Sequence, residues 1–162
     1  MDICAFLEQH NIEFERTDHP PVYTCEQAER LVPPMRGADT KNLFVRDKKG
    51  RSHFLVIVGY EKSVDLKALS RELGLAGLSL GSADQLQHHL GVDPGSVSLL
   101  AITNDRLSQV EIIIDETLWV ADRWKCHPLV NTSTLSLSRN DVERILNITN
   151  HACRVIDVPE QP

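Results

Sequence analysis

Thr40-Lys41-Asn42-Leu43-Phe44-Val45-Arg46-Asp47-Lys48-Lys49-Gly50-Arg51-Ser52-His53-Phe54-Leu55-Val56-Ile57-Val58 decides how the chain folds. Two apolar runs rich in β-branched and aromatic residues, Leu43–Val45 and Phe54–Val58, flank the charged segment Asp47–Arg51. Such residues fit a pleated, half-buried surface, and a glycine inside a short polar link supplies the turn. The spacing predicts a β-hairpin at the centre of a sheet. Lys41 and Asn42 stand at its mouth, a cation beside an amide, where a side chain can line a pocket.

Working outward, Ile3, Phe6 and Leu7 recur at helical spacing and predict a short amphipathic helix over residues 2–10. Glu13–Thr17 reads as a strand closed by His19-Pro20-Pro21. Thr24-x-x-Gln27 and Ser82-x-x-Gln85 are capping-box patterns, and Asp65 is a third N-cap. They open helices that end at Pro33-Pro34, Gly91 and Gly74, and the last two helices are expected to pack on one sheet face. Pro94-Gly95 predicts a type II turn, with strands over 97–102, 111–115, 118–121, 132–138 and 153–158. Ser138-x-x-Asp141 opens a final helix with Val142, Ile145 and Leu146 turned inward. No internal repeat interrupts this order.

With 162 residues, 41% hydrophobic and 25% charged, the chain can bury its own core as one domain, 1–162. A net charge of −6 argues against coating nucleic acid by bulk electrostatics. It leaves room for a local patch, and Lys41, Arg46, Lys48, Lys49 and Arg51 crowd into eleven positions. Cys4, Cys25, Cys126 and Cys153 are dispersed, without zinc-ligand spacing, and read as reduced thiols. The adjacent pair His88-His89 cannot chelate one ion through the same helix face, and no metal or cofactor site emerges. Met1–Glu8 lacks the basic and apolar regions of a signal peptide, and Phe54–Val58 is too short to cross a membrane. A cytoplasmic location is expected.

Three stretches then carry the chemistry: Lys41-Asn42-Leu43-Phe44, Gly91-x-x-Pro94-Gly95, and His127-Pro128 with Asn131. Each has an ordinary reading as a surface lysine, a tight turn and a strand end. In this order they resemble the YbaK/prolyl-tRNA-editing family, most closely its free-standing deacylases of alanyl-tRNA(Pro), and the likeness runs from about residue 3 to residue 158. The family more often carries Pro-Phe where Leu99-Leu100 stand, and an aromatic residue in place of Cys126. Both departures touch the pocket region. A Cys126–His127 nucleophile pair is disfavoured, because neighbours on an extended chain point to opposite faces.

The resemblance implies an α+β fold, a mixed, curled sheet with short helices packed around it. It implies hydrolysis of the ester joining a wrong amino acid, alanine first, to tRNA(Pro), with no cofactor. The substrate's own terminal ribose hydroxyl would help activate water. By the same resemblance Lys41 would anchor the substrate, and Gly95 with its neighbours would hold the carbonyl oxygen. His127 is the third catalytic candidate, while Asn42, Pro94, Ser96 and Asn131 would shape the binding pocket. Arg46, Lys48, Lys49 and Arg51 are the RNA-binding candidates. Mischarged tRNA(Pro) is the expected partner, prolyl-tRNA synthetase a second candidate, and a membrane is not expected. The rival expectation is a non-catalytic module of the same fold that binds tRNA or a synthetase.

Overall fold

The computed structural model describes residues 2–162, with the side chain of Cys25 left aside. In chain order the elements are α1 (Ile3–Gln9), β1 (Glu15–Asp18), α2 (Cys25–Leu31), β2 (Thr40–Asp47), β3 (His53–Gly59), α3 (Leu66–Glu72) and β4 (Leu78–Leu80). They continue with α4 (Ala83–Leu90), β5 (Val110–Asp115), α5 (Glu116–Trp119), β6 (Arg123–Cys126), β7 (Ser133–Ser138), α6 (Arg139–Ile148) and β8 (Cys153–Ile156). Short 3₁₀ turns occupy Pro94–Ser96 and Leu99–Asn104.

The hairpin forms as its sequence predicts. β2 and β3 pair antiparallel from Thr40 opposite Gly59 to Arg46 opposite His53, and Gly50 takes φ +69 in the turn. β3 is the middle strand of a five-stranded mixed sheet, β4-β2-β3-β5-β8, in which β5 and β8 run parallel to it and to each other. Cover on both faces of this central strand explains why Phe54–Val58 is a continuous apolar run rather than an alternating one.

Alternation along the strands divides the core in two. Phe44, Leu55, Ile57, Ile112 and Ile114 face a cluster with Leu86 and Leu90 of α4, whereas Val45, Val56, Val58 and Ile113 face one with Leu69 of α3. The expectation that both helices share one face is therefore corrected. The intervening β4, unread in the sequence, adds to the edge of the sheet beside β2 and lets the chain cross between faces.

A second, antiparallel sheet, β1-β7-β6, packs on the α4 side and contributes Trp124, Leu135 and Leu137 to that cluster. The two sheets are stitched where Ala38 bridges Trp124 in parallel register, with Ala38 N–H donating to Arg123 and Lys125 N–H donating back to Ala38. Gly37 makes this approach possible. Its φ is +124, and a Cβ there would stand 3.3 Å from the Trp124 backbone.

Two predicted strands are not strands. Residues 97–102 become the entry to a 3₁₀ turn, because Leu99–Ile102 are all buried and Ser98 caps them by accepting from Leu100 N–H. Residues 118–121 are the end of α5 and the turn after it, and the pairing edge falls at β6 instead. Nor does Pro94-Gly95 form a type II turn. It starts a 3₁₀ turn closed by Ser96 N–H donating to Asp93, and the left-handed conformation falls on Gly91, φ +65, as the cap of α4.

Candidate active site

Where β2 leaves the stitch between the sheets, a cavity of ≈640 Å³ opens toward α2. Its floor is the pocket-facing side of β2, Thr40 and Asn42, with the end of β6 and the loop behind it. Its roof is α2 with Pro33 and Pro34, and Gly95 and Val97 close one end.

Four residues predicted from sequence meet here: Asn42, Gly95, His127 and Asn131. Pro94 and Ser96 flank Gly95 but do not line the cavity. Lys41, expected at the pocket, is not among the residues that line it. Successive strand residues point to opposite faces, so with Asn42 turned inward Lys41 is turned out, toward the α3 side. Its ammonium donates to the carbonyl oxygen of Lys62, bracing the turn after β3 that carries Tyr60.

His127 is held from two directions. Its Nε2 lies 3.0 Å from the Val97 carbonyl, and its own carbonyl accepts a 2.8 Å bond from Ser98 Oγ, which is fully buried. A carbonyl cannot donate, so Nε2 carries the hydrogen. Burial holds the ring's pKa below the ordinary imidazole value, with the Val97 bond opposing, so near neutral pH Nδ1 is a free acceptor. Among the described residues that Nδ1 and Asn42 Oδ1 are buried without a hydrogen-bond partner, and both belong to residues lining this cavity.

Residues the sequence reading missed complete the walls. His19 is locked between Pro20 O (2.9 Å) and Thr134 Oγ1 (2.8 Å), which leaves it no free nitrogen. Thr40 Oγ1 donates to Lys125 O at 2.7 Å, and Lys125 Nζ pairs with Asp39 at 3.1 Å on the rim. Tyr60 OH donates to Glu29 at 2.7 Å, tying α2 to the sheet, and that carboxylate pushes the phenol up to about 12. Thr40 was findable, since it shares a strand face with Asn42 two residues on. The Tyr60–Glu29 tie joins residues 31 positions apart and has no local signature. Cys126 lines the cavity, but burial pushes its thiol up to about 12, so it is no thiolate at neutral pH.

The RNA-binding candidates lie elsewhere. Arg46, Lys48, Lys49 and Arg51 gather at the tip of the hairpin, with Lys48, Lys49 and Arg51 exposed. Asn42 and Asp47 are five strand residues apart, about 17 Å at ~3.3 Å per residue. A smaller cavity of ≈380 Å³ lies beyond Asp39 and Tyr60. Its central groups satisfy one another: Lys62 pairs with Asp115 at 3.0 Å, and Asp115 also accepts from Val158 N–H. The larger cavity is the one with orphaned acceptors.

The aminoacyl-tRNA editing domain family matches residues 19–145. The chain is 34% identical over 156 residues to the prolyl-tRNA editing protein ProX of Acetoanaerobium sticklandii, covering 96% of this chain and 95% of that one. It is 36% identical over 152 residues to the prolyl-tRNA synthetase associated domain-containing protein 1 of Danio rerio, covering 93% and 82%. A solved structure described as a candidate trans-editing enzyme for prolyl-tRNA synthetase superposes with a TM-score of 0.67 at 19% identity, covering 98% of this chain and 95% of that one, which bears on the fold. The match begins just after β1 and runs into α6, taking in every residue that lines the cavity, and the chain belongs to the aminoacyl-tRNA editing domain family.

Proposed function

We propose that the chain is a trans-editing deacylase that hydrolyses the ester of mischarged tRNA(Pro), with alanine the first-choice amino acid. The observation that carries the reading is a cavity in an editing-family fold whose buried acceptors, Asn42 Oδ1 and His127 Nδ1, have no partner among the described residues. An aminoacyl ester is already reactive, so positioning water and stabilising the oxyanion suffice. Water adds to the ester carbonyl, the N–H of Gly95 steadies the developing oxyanion, and the carbon–oxygen bond to the ribose breaks. The water's proton passes to the departing ribose oxygen, with the neighbouring ribose hydroxyl assisting. His127 and Asn131 shape the cavity around the amino acid.

Lys41 supports this site from behind the strand, by fixing the turn that carries Tyr60. The hairpin tip, about 17 Å along β2, is spaced to meet the acceptor helix while the single-stranded 3′ end reaches the cavity. Prolyl-tRNA synthetase is a partner that could hand over the charged tRNA. The test is release of amino acid from alanyl-, seryl- and prolyl-tRNA(Pro). Rapid release of alanine with prolyl-tRNA spared is expected. Tight tRNA binding without release from any ester would reduce the chain to a binding module.

A further inference from the structure

We propose that the cavity recognises the free, protonated α-amino group of its substrate, accepted jointly by Asn42 Oδ1 and His127 Nδ1. The proposal rests on the deacylase reading and deepens it.

Buried polar atoms in folded proteins are nearly always hydrogen-bonded, and an orphan is costly until a partner arrives. Among the described residues three buried side-chain atoms have none: Asn42 Oδ1, His53 Nε2 and His127 Nδ1. Two of the three belong to residues lining one cavity. Their chemistry is of one kind. Nε2 gives its hydrogen to Val97, so Nδ1 of the neutral ring can only accept, and an amide oxygen can only accept.

Asn42 on β2 and His127 just past the end of β6 line the same cavity, and the Ala38–Trp124 bridge joins the two segments close by. Several polar groups of the wall are already engaged: His19 with Thr134 and Pro20, Thr40 with Lys125, Lys125 with Asp39. Two acceptors held apart from bulk water call for a group with several N–H donors, and a cation gains most from such bonds. On the end of an aminoacyl-tRNA the α-ammonium meets both requirements. The exocyclic amine of the terminal adenine also has two N–H groups but no charge, and a water molecule could donate twice. The experiment separates the ammonium from the other two.

The probes are hydrolysis-resistant 3′-(L-alanylamino)-3′-deoxyadenosine, its N-acetyl derivative, and the analogue in which a hydroxyl replaces the amine. All share the adenine and the amide link. Calorimetric titration of the full chain is expected to show the free-amine probe binding at least tenfold more tightly than either other probe, on the order of one charge-assisted bond. The ¹⁵N signal of His127 Nδ1 should shift with that probe alone. Asn42→Ala should abolish the preference, and Asn42→Asp, which keeps an acceptor in place, should retain it. Melting curves will show whether each variant is folded.

Equal affinities for the three probes would assign the acceptors to adenine or water and overturn the proposal. So would a protonated Nδ1 in the free protein, or binding of none of them. Ester turnover is measured separately. Deacylation of alanyl-tRNA(Pro) without probe discrimination sinks this inference and leaves the deacylase reading standing. Discrimination without turnover upholds the inference and removes the enzyme.

Discussion

Ser98 is the residue on which the position of His127 depends. Its hydroxyl donates 2.8 Å to the His127 carbonyl while its oxygen accepts from Leu100 N–H, all in a fully buried setting. Ser98→Ala leaves that carbonyl and that N–H unpaired, at about 1–3 kcal/mol for a buried group. Thermal melts should fall by several degrees, and the rate on alanyl-tRNA(Pro) should fall while the fold persists. A fall in stability with unchanged rate would separate Ser98 from the site. Lys41→Met tests whether that lysine braces the turn or touches substrate. Loss of a charged donor to the Lys62 carbonyl should cost roughly 1.5 kcal/mol, low in the range because the lysine is partly exposed. Melts should therefore drop together with activity, whereas a direct substrate contact would spare the melts. The pair Lys41-Asn42 shows the limit of reading residues locally. Alternation says that only one of them can face the cavity. Which one follows from long-range pairing, Lys41 opposite Val58 on β3 and the stitch to β6, and not from neighbours in sequence.

At the scale of elements, the roof is the least anchored part of the site. In α2 none of residues 26–31 is buried, and Tyr60 OH to Glu29 is the side-chain bond that ties it to the sheet. Tyr60→Phe removes only that oxygen. Amide exchange over residues 25–32 should quicken while global stability changes by no more than about 0.5 kcal/mol, as for exposed substitutions. Unaltered exchange would mean that other contacts hold the roof. The helices that could be read in advance carry their own caps: Thr24, Asp65, Ser82 and Ser138 each accept from the backbone N–H three residues on. The misread segments lack such signals. Val97–Ile102 is apolar throughout, so it has no period to distinguish a strand from a buried helical turn. β4 is three residues long and mostly exposed, too short to alternate convincingly. Gly37, whose φ of +124 admits the Trp124 backbone, had no special pattern around it either.

The whole molecule carries a pH dependence that follows from its interior histidines. Burial lowers the pKa of His53, His89 and His127 below 6.5. The unfolded chain therefore takes up protons first as pH falls through 6.5, and stability declines from that point down through the folded values. Above 6.5 both states are neutral at these positions and the contribution is complete. The melting temperature should be flat from pH 8 to about 7 and fall between 6.5 and 5, and His53→Gln should soften the slope. A melting temperature that rose on acidification would contradict the assignment. The length of β2 sets a second property of the molecule, because it separates the cavity from the cationic hairpin tip. Neutralising Lys48, Lys49 and Arg51 together should lower the slope of log K against log salt for tRNA by about two to three. Binding of the small adenosine probes should not change.

Single-turnover deacylation with the purified chain decides whether this cavity hydrolyses the ester of mischarged tRNA(Pro). Alanyl-tRNA(Pro) should lose its alanine far faster than in buffer, with prolyl-tRNA(Pro) left intact. Folded His127→Ala should lose most of that rate. Alanyl-tRNA(Pro) that binds and keeps its amino acid, or equal rates for the folded His127→Ala variant, would rule out hydrolysis in this cavity.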